Sequence, residues 1–131
     1  MIQSIHHIAL ICSDYQKSKY FYINILGLTA GNEVYRKERQ SMKLDLYLNE
    51  QYVLELFTFP NPPERRSYPE ACGLRHLAFS VSSLDKVIQN LRKHAIDLPN
   101  IRIDEYTGKR FMFISDPDGM PIEFYEEELF Q

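Results

Sequence analysis

The chain has 131 residues, the length of one ordinary domain, which is enough to bury a hydrophobic core without disulfide support. Hydrophobic residues at 44% and charged residues at 25% are typical of a soluble globular protein and exclude a disordered or fibrous chain. The formal net charge of −3 without a basic cluster predicts no nucleic-acid partner, and the lack of a long apolar run predicts no membrane partner. The first residues show no basic segment followed by a long apolar run, so the predicted location is cytoplasmic. Cys12 and Cys72, sixty positions apart, suggest no disulfide framework and are expected to be reduced thiols.

The first half of the sequence predicts a strand, a helix and three further strands. A run rich in β-branched residues over 5–11 is the first strand. Ser13 or Asp14 can then cap a helix whose apolar residues recur at helical spacing up to Gly27. Three strands follow, at 29–36, 42–48 and 51–59. The order of this first module, 5–59, is βαβββ.

A proline-rich segment over 60–73 separates the two halves and is predicted to be a linker. After it, His76-Leu-Ala-Phe resembles His7-Ile-Ala-Leu, displaced by 69 positions. A second amphipathic helix follows Ser82-Ser83. Strands are then predicted at 101–105, 110–115 and 121–126. The βαβββ order therefore recurs in a second module, 74–126.

Each module carries one histidine and one glutamate at matching places. Glu55 precedes Glu123 by 68 positions, much as His7 precedes His76 by 69. Strand alternation puts each histidine on the face with the smaller residues, where a ligand has room. Taken singly, each residue has an ordinary explanation, as a half-buried strand histidine or a surface acid. The recurrence of the pair in both modules favours a shared site.

Two imidazoles and two carboxylates suit a divalent metal ion if the modules pack about a pseudo-twofold axis. Nitrogen and oxygen ligands of this kind accept Zn, Ni, Co, Mn or Fe(II), and the absence of a thiolate from the set singles out none of them. The sequence therefore predicts one divalent metal, of open identity, on His7, Glu55, His76 and Glu123.

These motifs resemble the vicinal oxygen chelate superfamily, in its glyoxalase I-like branch. The resemblance spans nearly the whole chain: the His-(Ile/Leu)-Ala start of each module, Gly73-Leu-Arg-His-Leu-Ala-Phe79 at mid-chain and Asp116-Pro-Asp-Gly followed by Ile-Glu-Phe124. It implies an α+β fold, in which two βαβββ modules of a single domain over 1–131 form a curved, cup-shaped mixed sheet with the helices outside. It also implies that the metal chelates two neighbouring oxygens of a small-molecule substrate.

The resemblance implies a lyase or isomerase activity of the glyoxalase I type, as in methylglyoxal detoxification. The substrate is then a hemithioacetal of a 2-oxoaldehyde and a thiol, converted through an enediolate that the metal stabilises. Glu123 is implied as the catalytic proton shuttle, with Glu55 as its symmetric counterpart. A homodimer is also implied, and the sequence leaves open whether the site forms within one chain or across two.

The thiol and the substrate contacts are less defined. Members of the family that use glutathione have Arg and Asn where this chain has Ile11 and Phe59. The identity of the thiol is therefore left open. Lys109 and Arg110, after a Thr-Gly turn, resemble the basic residue that meets the glycyl end of glutathione, although solvated turn charges fit them equally well.

Two further cations are candidates for substrate binding, Arg36 and Lys43 on the second and third strands. Lys43 and Asp45 share a strand face, which suits either a carboxylate-binding spot or an exposed ion pair. We expect the exposed ion pair.

Other members of the superfamily supply the alternatives. Thioester epimerases usually have Gln at the position of Glu55, and extradiol dioxygenases and fosfomycin-inactivating thiol transferases typically use two His and one Glu, so Glu55 counts against all three. A metal-free binding protein of the bleomycin-sequestering type is the alternative that is not an enzyme, and the presence of all four ligand types argues against it.

Overall fold

The structure, a computed structural model, describes residues 1–128. The chain divides into two compact units, Met1–Glu64 and Arg65–Gln131. The first unit contains β1 (Ile8–Cys12), α1 (Tyr15–Tyr20), β2 (Thr29–Arg36), β3 (Ser41–Leu48) and β4 (Gln51–Thr58). The second unit contains β5 (Leu77–Val81), α2 (Leu84–Lys93), β6 (Arg102–Ile103), β7 (Arg110–Ser115) and β8 (Pro121–Glu126). Each unit has the predicted βαβββ order.

Each unit forms a four-stranded mixed sheet with the same strand order. The orders are β1-β4-β3-β2 and β5-β8-β7-β6. In both sheets the first strand of the unit lies parallel to the last strand, and the remaining neighbours are antiparallel. The last strand is therefore central and borders the first, which brings each histidine segment next to a glutamate strand. The predicted α+β class is confirmed.

Local capping explains where the helices start. The Asp14 carboxylate accepts a hydrogen bond from Lys17 N at 3.1 Å, and the Ser83 hydroxyl accepts one from Lys86 N at 3.3 Å. The first helix is shorter than predicted, because it continues as a π-helical turn over Phe21–Ile25. Phe21 and its neighbour Tyr22 are both buried, and the wider turn accommodates two adjacent core residues.

The two histidine strands begin later than predicted. The parallel ladders start at Ile8 and Leu77, so residues 5–7 and 74–76 have no strand partner. His7 and His76 accordingly lie just before the strands, not within them. Each histidine still lies close to the glutamate of the neighbouring strand, at 3.6 Å for His7 and 3.2 Å for His76.

The strand predicted at 101–105 is reduced to two residues. Asp104 begins a turn instead: its carboxylate accepts from Tyr106 N at 2.8 Å, and its carbonyl accepts from Gly108 N at 2.7 Å. An Asp that bonds the backbone two residues further on favours a turn over a strand.

The core of each unit lies on one face of its sheet. In the first unit Leu44 and Leu46 pair across strands with Leu56 and Leu54, and all four are buried. In the second unit Met112, Ile114, Ile122 and Phe124 take the equivalent positions and are buried too. The opposite face of each central strand holds the glutamate.

Cys12 and Cys72 form no disulfide. None of the helices in residues 1–128 is long and apolar enough to cross a membrane.

Candidate metal centre

The first His–Glu pair lies at the edge of the first sheet, between β1 and β4. The ladder pairs Ala9 with Glu55, and His7 is two residues before Ala9, on the same face. His7 Nε2 is 3.6 Å from Glu55 Oε1. The His7 and Glu55 side chains are 34% and 13% exposed.

The second pair repeats this arrangement between β5 and β8. Ala78 pairs with Glu123, and His76 Nε2 is 3.2 Å from Glu123 Oε2. The two side chains are 33% and 13% exposed, almost the same values as in the first unit. In both units a small alanine beside the glutamate leaves room for the histidine ring.

Each pair fits two ligands of one metal ion. Ligands about 2.1 Å from an ion and about 90–110° apart are separated from each other by about 3.0–3.4 Å. The separations of 3.6 and 3.2 Å are close to this spacing. Among residues 1–128, no group of three or more His, Cys, Asp or Glu side chains is placed to hold a metal ion, so each pair offers two candidate ligands.

A polar network holds the Glu55 carboxylate on the side away from His7. Lys43 Nζ is 3.0 Å from Glu55 Oε2 and 2.8 Å from Asp45 Oδ1. The Tyr52 hydroxyl donates to Glu55 Oε2 and to Asp45 Oδ1, both at 3.0 Å. The second oxygen of Glu55 is therefore fixed by two donors, while the first faces His7.

Asp45 and Lys43 form the predicted ion pair, but the expectation that this pair is exposed is wrong. Asp45 is buried, with 7% of its surface exposed, and it pairs in register with Glu55. Two carboxylates side by side repel each other, so the Lys43 ammonium between them supplies the compensating charge.

The electrostatics of the network follow from these contacts. The hydrogen bond to Asp45 raises the pKa of Lys43, so its ammonium stays charged. Burial opposes the charged form of Asp45, but the bonds from Lys43 and Tyr52 outweigh it and hold the pKa of Asp45 below its usual value. Burial, followed by the bonds to the two carboxylates, raises the pKa of Tyr52. Tyr52 is therefore a neutral donor at physiological pH.

A β-bulge brings Tyr52 into this network. Leu54 pairs with Leu46 and Tyr52 pairs with Tyr47, so Val53 is an extra residue on β4. Strict alternation would put Tyr52 and Glu55, three positions apart, on opposite faces. The bulge shifts the register and turns both to the same face.

An aromatic stack supports Tyr52 and His7. The His7 and Tyr52 rings are parallel with centroids 4.8 Å apart, and Tyr47 stacks on Tyr52 at 5.4 Å. Tyr47 in turn lies against Gly31 of β2, where an added Cβ would come within 2.4 Å of the Tyr47 ring. Gly31 therefore gives the stack the space it occupies.

Glu123 has a different setting from Glu55. Its register partner on β7 is Phe113, the counterpart of Asp45, and Phe113 also makes an edge-to-face contact with the His76 ring at 5.1 Å. Within its own unit, among the described residues, the polar partner of the Glu123 carboxylate is His76. Glu123 thus lies in the more apolar surroundings of the two glutamates.

Two residues next to the first His–Glu pair, Tyr52 and His6, were not predicted from the sequence. His6 Nδ1 is 2.8 Å from His7 Nδ1. A His7 that donates from Nδ1 to His6 presents its Nε2 lone pair to a metal, which is how outer hydrogen bonds orient metal ligands. The adjacent histidines were visible in the sequence, whereas Tyr52 depends on the bulge.

The other candidate cations are engaged elsewhere in their units. Arg36 lies over the Phe57 ring, 4.5 Å from its centroid, and donates to the Ser41 hydroxyl at 2.9 Å. Lys109 pairs with Glu127 at 3.0 Å. Arg110 makes a bidentate pair with Glu126, at 2.9 and 2.8 Å.

Comparison with known proteins identifies the class. The family sequence model of the Glyoxalase/Bleomycin resistance protein/Dioxygenase superfamily matches residues 4–124. The chain therefore belongs to this superfamily, whose other name is vicinal oxygen chelate, and the predicted fold is confirmed.

Individual relatives cover almost the whole chain. YwkD of Bacillus subtilis (strain 168) is 59% identical over 97% of this chain and 99% of its own, and YaeR of Escherichia coli (strain K12) is 57% identical over 96% and 98%. The metallothiol transferase FosB of Lysinibacillus sphaericus (strain C3-41) is 27% identical over 95% and 82%.

Solved structures agree with the fold. The glyoxalase family protein from Enterococcus faecalis is 45% identical, with a TM-score of 0.88 over 95% of this chain and 98% of that one. Glyoxalase I of Leishmania major has a TM-score of 0.70 over 96% and 88%, and at 21% identity this likeness concerns the fold alone.

Proposed function

We propose that the protein is a divalent-metal-dependent lyase or isomerase of the glyoxalase I type. The substrate is a hemithioacetal of a 2-oxoaldehyde, such as methylglyoxal, and a thiol. The observation that carries the proposal is the His–Glu pair repeated in both units at 3.6 and 3.2 Å. His7, Glu55, His76 and Glu123 would together bind one metal ion. Membership of the superfamily supports the use of a metal.

The proposed reaction moves protons within one molecule. When bound, the metal would hold the two neighbouring substrate oxygens and stabilise the negative charge that develops on them. Glu123 takes the proton from the carbon that carries the hydroxyl and the sulfur, and returns it to the adjacent carbonyl carbon. The hydroxyl proton passes to the former carbonyl oxygen. The product is a 2-hydroxy thioester, and no atom is gained or lost.

Glu123 is the better placed of the two glutamates to carry the proton. Lys43 and Tyr52 hold Glu55 Oε2, so a movement of the Glu55 carboxylate towards a substrate would break two hydrogen bonds. Glu123 has His76 as its polar neighbour within its own unit, among the described residues. A carboxylate with fewer fixed hydrogen-bond donors turns towards a substrate atom at a lower cost. Glu55 then acts mainly as a ligand.

Substrate contacts are proposed from the same network. Lys43 is the candidate cation that touches a proposed ligand, and it would have to release Asp45 or Glu55 before its ammonium could meet an anionic part of the substrate. Arg36, Lys109 and Arg110 remain candidates that would have to release Phe57, Glu127 and Glu126. Apolar Ile11 and Phe59 at the two glutathione positions favour a thiol other than glutathione.

We also propose that the protein works in the cytoplasm as a homodimer. Two cysteines without a disulfide fit a reducing compartment. Many members of the superfamily are dimers, which supports the oligomeric state.

The test is a metal and thiol screen. Purified protein is stripped and reloaded separately with Zn, Ni, Co, Mn or Fe(II), then mixed with methylglyoxal and cysteine, glutathione or coenzyme A. We expect thioester formation that depends on metal and is lost in His76→Ala. The matched control is His94→Ala, which removes a histidine at the end of α2 and should retain activity. Metal-loaded protein that forms no thioester with any of these thiols would overturn the proposal.

One observation favours a second candidate, a thiol transferase with three metal ligands. The bonds of Lys43 and Tyr52 to Glu55 would let Glu55 remain outside the metal set. The 27% identity with the metallothiol transferase FosB supports this reading. Unchanged metal affinity in Glu55→Gln, together with transfer of a thiol to fosfomycin, would select it over the glyoxalase type.

A further inference from the structure

The second unit contains a cleft that the metal chemistry does not use. It has a volume of about 270 Å³ and lies between segment 65–75 and the turn that leads into β8. Three arginines, Arg65, Arg66 and Arg75, line it together with a single carboxylate, Glu70. We propose that this cleft, here called the arginine cleft, binds a small anion that carries a phosphate or carboxylate group.

The charge balance of the arginine cleft favours an anion. Glu70 Oε1 is 3.2 Å from Arg75 Nη1, and both side chains are about half exposed or more, so this pair is weak and screened. Three guanidinium groups against one carboxylate give the lining side chains a formal net charge of +2. The whole chain has a formal net charge of −3, so this local excess runs against the overall balance.

Arg65 is anchored, which distinguishes it from a solvated surface arginine. Its Nη2 donates to the carbonyls of Leu74 at 3.0 Å and Arg75 at 2.9 Å. Its Nε is buried and has no hydrogen-bond partner among the described residues. The guanidinium is therefore held in a partly buried position, and an anion in the cleft would offset part of the cost of burying its charge.

The chemistry and size of the cleft define the ligand. A guanidinium fork matches the two oxygens of a carboxylate or phosphate, and the hydroxyls of Ser67 and Ser115 add neutral donors to the lining. A volume of about 270 Å³ is at the lower end for small-molecule sites. The fitting ligand is therefore a phosphomonoester or organic acid of a few carbons, and a nucleotide or a macromolecule is too large.

The arginine cleft lies next to a rigid turn. The Asp116 carboxylate accepts from Asp118 N at 2.8 Å and from Met120 N at 2.9 Å. Gly119 and Pro121 of this turn line the cleft. The wall on this side is preformed, which lowers the cost of ordering the protein on binding. The proposal concerns binding and does not rest on the proposed metal chemistry.

Calorimetric titration of the full-length protein tests the proposal. The probes are inorganic phosphate, glycerol 3-phosphate and succinate, used separately so that phosphate and carboxylate are distinguished. We expect saturable binding of at least one probe. Arg66→Ala should weaken this binding about tenfold or more, because it removes a charged donor. Arg66 is exposed, so the variant should keep the fold.

Arg39→Ala is the matched control, since Arg39 is an exposed arginine in the first unit. It should leave the affinity unchanged. Binding weakened equally by both variants would indicate general charge attraction and would overturn the proposal. So would the absence of saturation by all three probes up to about 10 mM. Arg65→Lys, checked for folding by circular dichroism, should weaken binding as Arg66→Ala does.

Discussion

Glu55 and Glu123 take matching positions in the two units, yet their neighbours differ in chemistry. Across the ladder Glu55 meets buried Asp45, whereas Glu123 meets Phe113. Lys43 forms an ion pair with Glu55 and Tyr52 donates a hydrogen bond to it, which compensates the two adjacent carboxylates. A repeat that is symmetric in its backbone thus holds one fixed carboxylate and one with fewer restraints. This difference separates the proposed roles of ligand and proton carrier.

The first prediction concerns Glu123. An amide oxygen can still bind a metal, but it does not accept a proton near neutral pH. Glu123→Gln should therefore keep its metal while turnover falls by roughly two to four powers of ten. Turnover and metal content are measured in the same samples. A metal-loaded Glu123→Gln enzyme with near wild-type turnover would rule out the proton-shuttle role.

Glu55→Gln is the comparison, since it changes the matching residue in the other unit. It should lower turnover less than Glu123→Gln, because the proposed proton carrier remains. If Glu55→Gln proves the more damaging of the two, the roles assigned to the glutamates are reversed.

At the scale of the elements, the end of β8 is tied to α2 and β7 by one carboxylate. Glu126 accepts two bonds from Arg110 and one from Leu84 N, at the first residue of α2, at 2.8 Å. Arg110 was a candidate for substrate binding in the sequence, and this contact gives it a structural role in its unit. The Arg110 guanidinium, followed by the Leu84 N–H, lowers the pKa of Glu126 from its ordinary 4.5 to about 2.

The second prediction follows from that pKa. A carboxyl whose pKa is lower in the folded state stabilises the fold fully above about pH 4.5, and this contribution is lost as the pH falls towards 2. We expect the wild type to lose about 1–2 kcal/mol more than Glu126→Gln across this window, after allowance for solvent screening. Denaturant titrations at several pH values measure the difference. Equal losses in the two proteins would contradict it.

The third prediction concerns the contact of β2 with the aromatic stack. Gly31→Ala would place a Cβ 2.4 Å from the Tyr47 ring and force Tyr47 to move. We expect a loss of about 1–3 kcal/mol in the free energy of unfolding, measured by denaturant titration. In a Tyr47→Leu background the same change should cost clearly less, since the clash is then absent. An undiminished cost in that background would point to a backbone effect instead.

At the scale of the whole molecule, the proposal is that one metal ion would take its ligands from both His–Glu pairs. A ligand that binds only the folded protein raises its stability. Metal affinity and thermal stability are therefore two measurements that test the proposed metal site, and neither requires the substrate to be known.

The fourth prediction is that the protein binds about one divalent metal ion per chain and that His76→Ala loses most of it. Added metal should raise the Tm of the wild type and leave that of His76→Ala nearly unchanged. Elemental analysis and thermal unfolding are the measurements. Full metal retention in His76→Ala would remove His76 from the site.

The fifth prediction is the homodimer. Sedimentation at micromolar concentration should give twice the chain mass of 15.5 kDa. A species of 15.5 kDa under these conditions would contradict it.

The sequence by itself determined the repeat, the order of the elements and the His–Glu pairs. Strands such as β2, β7 and β8 began and ended where local patterning predicted them, because alternation and turn residues act over a few positions. His7 and Glu55, 48 positions apart, were matched with His76 and Glu123 through the internal repeat alone.

Only the tertiary structure decided how the side chains around each pair are used. The bulge at Val53 turned Tyr52 towards Glu55, and a register shift of this kind depends on the partner strand. Burial of Asp45 made an ion pair that looked exposed into a support of the proposed centre. Arg110 pairs with Glu126, a partner that the sequence did not indicate, since the choice of an ion-pair partner depends on which distant residues the fold brings close.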